Sequence, residues 1–154
     1  MPDLIPPHGG LPEPINRTVP TGEVADFRAR ARSLKRVPIS DADLSSHYRL
    51  GDGGLSPLTG PMDRLTFQRA LEEEVLLQNG KAYAWTIPIS YAVETSLAAS
   101  IKPGETVALV NGNDELVGTL TVNDVFPLDR ARYIKAVYGT ERTDHPGGRM
   151  VMSD

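Results

Sequence analysis

Apolar positions change their period along this chain, and the change divides it in two. Val24, Phe27, Ala31 and Leu34 recur every three or four residues, which gathers them on one side of a helix. Thr21 stands where an N-cap is needed, Glu23 and Asp26 fall in the first turn, and Pro38 ends the pattern. Ser40-Asp41-Ala42-Asp43 has the spacing of a capping box and opens a short helix toward Leu50. Asp63 predicts the cap of a third helix, with Leu65, Phe67, Ala70, Leu71 and Val75 buried and Glu72, Glu73 and Glu74 solvated.

From Gln78 onward the period shortens. Asn79-Gly80 signals a turn, and Tyr83 to Val93 is rich in residues that suit strands, with Pro88 marking an edge or bulge. Glu94 to Ile101 predicts a short helical turn closed by Lys102-Pro103-Gly104. Thr106–Val110 and Leu116–Val122 then read as a hairpin around Asn111-Gly112-Asn113-Asp114, with one face of the second strand buried. Asp129 to Tyr138 predicts a last helix that offers Ala131, Ile134, Ala136, Val137 and Tyr138 for packing; the chain after Gly139 reads as irregular. Residues 1–20 hold six prolines and no periodicity, so they predict an extended arm anchored by Leu4, Ile5, Leu11 and Ile15.

Helices followed by closely spaced strands indicate an α+β domain with a compact sheet or small barrel, and the short connections argue against a doubly wound sheet. The organisation is an arm over 1–20, a domain over 21–150 and a link at 151–154. Between the helices lies Gly51 to Met62, with four glycines and two prolines in twelve residues. Gly53, Gly54 and Gly60 suit positive φ, Pro57 and Pro61 lock their own φ, and Leu55, Leu58 and Met62 predict a loop pinned to a core.

Composition narrows the chemistry. The chain has 154 residues and no cysteine, which removes disulfides, thiolate metal sites and a cysteine nucleophile and suits a cytoplasmic protein. A net charge of -4 argues against nucleic acid as the main partner. Arg28, Arg30, Arg32, Lys35 and Arg36 nonetheless invite a phosphate or RNA reading, although basic residues also suit a helix C-terminus. No apolar run reaches membrane-span length.

The glycine stretch fails as a phosphate cradle. Gly51-Asp52-Gly53-Gly54-Leu55-Ser56 lacks the third glycine of the dinucleotide fingerprint, and it leads into no Gly-Lys-Ser or Gly-Lys-Thr. Gly54-Leu55-Ser56-Pro57-Leu58 misses the last glycine of a nucleophile elbow, so Ser56 reads as a turn residue. His8, His47 and His145 have no metal-ligand spacing, and His145-Pro146-Gly147-Gly148 reads as a rigid turn. No carboxylates form a defensible acid and base pair, so the residues alone yield no active site.

Gly53-Gly54-Leu55-Ser56-Pro57-Leu58-Thr59-Gly60-Pro61-Met62 resembles the Gly-Gly-Phe-Ser-Pro-Leu-x-Gly-Phe-Met stretch of ATP sulfurylases, the sulfate adenylyltransferases, with Leu55 and Pro61 in place of aromatics. Ser40 to Leu44 resembles the family's short helix before that loop. Trp85-Thr86-Ile87-Pro88-Ile89 is similar to its Trp-Pro-Ile-Pro-Ile strand, and Lys102 to Glu105 to its turn before a hairpin. Val137 to Thr140 and His145-Pro146-Gly147 are similar to its later motifs. The resemblance implies the family's N-terminal domain, a PUA-like small β pseudo-barrel with several short helices and an extended N-terminal arm. Gly53, Gly54, Ser56, Pro57, Leu58, Gly60, Met62, Trp85, Pro88, His145, Pro146 and Gly147 are then structural signature residues. In the family the catalytic motifs, Gln-x-Arg-Asn-Pro, His-x-x-His and Gly-Arg-Asp, belong to the next domain. None occurs here, so no catalytic, cofactor-binding or metal residue carries over. The resemblance thus implies an accessory domain whose parent uses ATP and Mg2+, with the catalytic domain as partner and an adenylylsulfate kinase domain or a second copy as further ones. Residues 151–154 would lead toward a catalytic domain that the sequence lacks. The alternative is a free-standing PUA-like RNA-binding module.

Overall fold

A computed structural model describes residues 5–153 of the protein. Leu4, expected as an arm anchor, lies outside the described residues. After a 3-10 turn at Thr21–Glu23, the elements are α1 (Val24–Ala31), β1 (Lys35–Pro38), α2 (Asp41–Gly51), α3 (Arg64–Glu73), β2 (Val75–Gln78) and β3 (Lys81–Ala84). They continue with α4 (Thr95–Ala98), β4 (Thr106–Val110), β5 (Leu116–Thr121), α5 (Arg130–Tyr138) and α6 (Pro146–Ser153).

The described strands form two small sheets and no closed barrel. One has the order β1-β4-β5, with β1 parallel and β5 antiparallel to the central β4; the other is the β2-β3 hairpin. The β4 strand is buried from Val107 to Val110 because it is covered on both faces and both edges. Every position of β5 from Leu116 to Leu120 is half-buried and Thr121 is exposed, so the clean alternation expected of this strand gives way to the even partial cover of an edge strand. Val37, Ile39, Ile101, Val107, Leu109 and Val122 make one core, and Met62, Phe67, Ala70 and Leu76 a second beneath α3.

The caps explain most helix starts. The Ser40 hydroxyl accepts from Asp43 N at 3.1 Å, Asp63 Oδ1 from Thr66 N at 2.8 Å and Asp129 Oδ1 from Arg132 N at 3.0 Å. Thr21 makes no such bond; a 3-10 turn, entered from Pro20, leads into α1 instead. Leu65 is 64% exposed, opposite the buried Phe67 and Ala70. Val75 opens β2 because Glu74 takes a left-handed conformation, φ 56°, that ends α3 one residue earlier. Asn79 and Gly80, both at positive φ, make the two-residue hairpin turn. The extended reading of Tyr83 to Val93 holds only to Ala84: Trp85 N bonds to Glu74 O, and the chain then leaves the sheet through the buried Pro88. The tail after Gly139 is also more regular than its glycines suggest. Pro146 opens α6, where a missing N–H costs nothing.

Candidate functional site

The arm and the Gly51–Met62 loop are built against each other. Gly9, at φ 81°, is buried so closely on Pro57 that a Cβ would lie 2.7 Å from the ring, and Gly10, at φ 70°, sits against the Tyr83 hydroxyl. Gly53 is the loop glycine that needs positive φ, 84°, and a Cβ there would press on Pro14 and Ile15. Gly54 and Gly60 keep ordinary φ. The buried Ser56 hydroxyl accepts from Ile15 N at 2.8 Å and donates to Gly53 O at 2.7 Å. Arg17 N donates to Gly51 O at 2.7 Å, and its guanidinium to Thr59 O. His8 bonds the Ala84 carbonyl at 2.8 Å and packs edge-on against Tyr83. Ile15 and Leu11 are half-buried as anchors should be, whereas Ile5 is 93% exposed and anchors nothing.

This packing leaves no phosphate cradle. Gly54 N is bonded to Asp52 Oδ1, Leu55 N to Arg49 O, Ser56 N to Gly53 O and Leu58 N to Leu55 O. These four N–H groups are turned inward and are not offered to an anion. The Ser56–Pro57 peptide is cis.

The other signature residues fall into two separate sets of contacts. Leu58 is half-buried and Met62 buried in the α3 core, Met62 N bonds to Ile89 O at 2.8 Å, and Gly60 lies against Leu120. The Trp85 indole donates to Ile87 O at 2.7 Å. In the second set, the His145 ring lies tilted against Tyr138 with centroids 5.1 Å apart, and Gly147 lets α6 approach so near that a Cβ would strike the Tyr138 ring. The structure therefore does not bring His145, Pro146 and Gly147 together with the loop.

On the far side of the loop lies an open cleft of about 1520 Å³, walled by Pro57–Asp63, Ser90–Val93, β5 and the segment to Leu128. His47 closes one end. Its Nε2 faces Val117 O at 3.2 Å and its Nδ1 faces the Tyr91 hydroxyl at 3.1 Å. A carbonyl can only accept, so Nε2 carries the proton and Nδ1 accepts from Tyr91. Burial holds His47 below its ordinary pKa, against the pull of the Val117 carbonyl. Burial likewise raises the Tyr91 hydroxyl, with Asp43 adding to it, and pushes Tyr133 up to about 12. The ring fits because residue 118 is glycine: a Cβ there would fall on Nε2. Sequence reasoning passed over this junction. A lone glycine inside a strand pattern was the one signal of a close approach.

Among the described residues no group of three or more His, Asp or Glu is placed to hold a metal ion, and no helix is long and apolar enough to cross a membrane. Of the basic run, Lys35 pairs with Glu105 and Arg36 with Asp114, while Arg28, Arg30 and Arg32 stay exposed.

Residues 5–154 match the PUA-like domain family. The chain belongs to that family. The PUA-like domain here is 42% identical over its whole length to the sulfate adenylyltransferase of Pyropia yezoensis and 34% identical over 97% of the chain to that of Synechococcus sp. (strain JA-3-3Ab). It spans only 35% and 37% of those relatives, about a third of their length. A solved structure, a hexameric APS kinase from Thiobacillus denitrificans, is similar over 82% of the chain and 24% of its own, with 28% identity and a TM-score of 0.69. The PUA-like assignment agrees with the two small sheets and short helices.

Proposed function

We propose that this chain serves as the accessory, non-catalytic domain of a sulfate adenylyltransferase, the enzyme that joins ATP and sulfate into adenosine 5'-phosphosulfate and diphosphate. The observation that carries this reading is full-length similarity to enzymes of which the chain spans only about a third. In support of this reading, four loop N–H groups are bonded within the protein, and among the described residues no group of three or more His, Asp or Glu is placed to hold a metal ion. Nucleotide and metal belong to the catalytic portion, and the role of this domain is to hold that portion. An adenylylsulfate kinase domain and a homo-oligomer are further partners in keeping with this reading, supported by the likeness to a hexameric APS kinase. RNA binding has less behind it, since two of the five cations in the basic run are engaged with carboxylates.

The test pairs the purified chain with the part of the Pyropia yezoensis enzyme that it does not match. The chain alone should release no diphosphate from ATP, Mg2+ and sulfate, and the two pieces should co-elute. Sulfate-dependent turnover by the chain alone, or salt-sensitive RNA binding in place of co-elution, contradicts the reading.

A further inference from the structure

The backbone of β5 alternates between bonded and free peptide groups. Val122 N donates to Glu105 O at 2.8 Å and Val122 O accepts from Gly104 N at 2.7 Å, so residue 122 faces β4. Ile39 N bonds to Val110 O, which turns 110, and with it 108 and 106, toward β1. The odd positions 107 and 109 must then face β5, where their partners are Leu120 and Gly118. Thr119 and Thr121 are left pointing away from the sheet. Val117 O also points outward, and the His47 ring has taken it. Among the described residues no group bonds to the outward N–H or C=O of Thr119 or Thr121. Both residues line the cleft.

An unpaired edge is a template for another strand. Here it is not offered to a flat, open surface. Pro57–Asp63 and Ser90–Val93 line the same cleft, whose volume of about 1520 Å³ accommodates an extended segment beside the edge. His47 sets where pairing stops, because the next outward acceptor is already bonded.

We propose that the cleft receives an extended peptide segment from the catalytic portion of a sulfate adenylyltransferase, which adds as a strand to the outer edge of β5 at Thr119 and Thr121. This rests on the accessory-domain reading above and identifies where the partner is held. Main-chain hydrogen bonds supply the affinity, and the half-buried Leu120 and Val117 beside the edge supply contacts for alternate side chains. Arm residues Arg17 to Val19 and loop residues Pro57 to Met62 line the same cleft and bound the seat, while the strand edge supplies its main-chain groups.

Overlapping peptides spanning the part of the Pyropia yezoensis enzyme that this chain does not match test the proposal with the full chain. At least one should bind. Thr119→Pro removes an outward N–H and projects a ring from the edge without touching the β4 ladder, so it should fold and bind about tenfold more weakly or worse. Thr119→Ala should bind as the parent does. Should Thr119→Pro fail to fold, N-methylating alternate amides of the bound peptide probes the same bonds, with loss of binding in only one of the two phases. The proposal is overturned if no peptide binds at millimolar concentration, if folded Thr119→Pro binds like Thr119→Ala, or if N-methylation leaves binding intact in both phases or abolishes it in both. Co-elution of the two protein pieces with no effect of Thr119→Pro would remove the strand seat while leaving the accessory role standing.

Discussion

The Gly51–Met62 loop meets the arm on one side and borders the cleft on the other, and the backbone is paired at the first contact and open along β5 at the second. Toward the arm, Ser56, Gly53, Gly51 and Thr59 are matched to Ile15, Arg17 and the loop itself by hydrogen bonds. Toward the cleft, β5 presents two peptide groups to open space. Glycines and prolines make a segment conspicuous, but here they serve a junction that is already complete. The side suited to a partner is made of threonines and leucines that draw no notice.

The largest effect should come from filling the closed side. Gly9→Val forces a β-branched residue to φ 81° and drives its Cβ into Pro57, at a cost of about 3 kcal/mol. Thermal unfolding should register this as a drop of several degrees; an unchanged melting temperature would mean that the arm is not seated on the loop.

Ser56→Ala should cost less, about 2 kcal/mol, because it strands the Ile15 N–H beneath the arm and removes the bond to Gly53 O. Limited proteolysis within residues 10–17 should accelerate. Equal cleavage rates in parent and variant would show that Ser56 does not tie the arm down.

The smallest effect belongs to the cleft side. His47 has a folded pKa below its ordinary 6.5, so the unfolded chain takes up the proton more readily. Its contribution is therefore complete above about pH 6.5 and declines as pH falls below that value. Urea unfolding followed from pH 7.5 to 5 should show this decline, shallower in His47→Gln, where no proton is taken up. Gly118→Ala should reproduce the low-pH loss at neutral pH by displacing the ring, by about 1 kcal/mol. Parallel pH profiles for parent and His47→Gln would exclude the junction as the titrating element.

Helix starts were legible where a side chain caps the backbone locally, as at Ser40, Asp63 and Asp129, because the donor and acceptor are three residues apart in sequence. The Asn79-Gly80 turn and the β4–β5 hairpin were legible for the same reason. What escaped depends on distant partners. Trp85 to Ile89 has the composition of a strand yet pairs with none, since Met62 N and the Trp85 indole take the carbonyls of Ile89 and Ile87. Pro146 at the start of α6 was masked by two glycines whose use, close approach to Tyr138 and to Arg142 O, emerges only in three dimensions. Similarly, nothing local to Thr119 says that its peptide group faces outward; the register to β4 and from β4 to β1 decides it.

Residue-resolved amide exchange tests the contrast between the two sides most directly. In the free chain Leu120 and Gly118 should be protected, and Thr119 and Thr121 should exchange rapidly. Adding the catalytic portion of a sulfate adenylyltransferase should slow Thr119 and Thr121 and leave the already protected amides of Ile15, Arg17 and Leu55 unchanged. Protection that develops at the arm and loop, with Thr119 and Thr121 still exchanging freely, would contradict a partner seat on the open side.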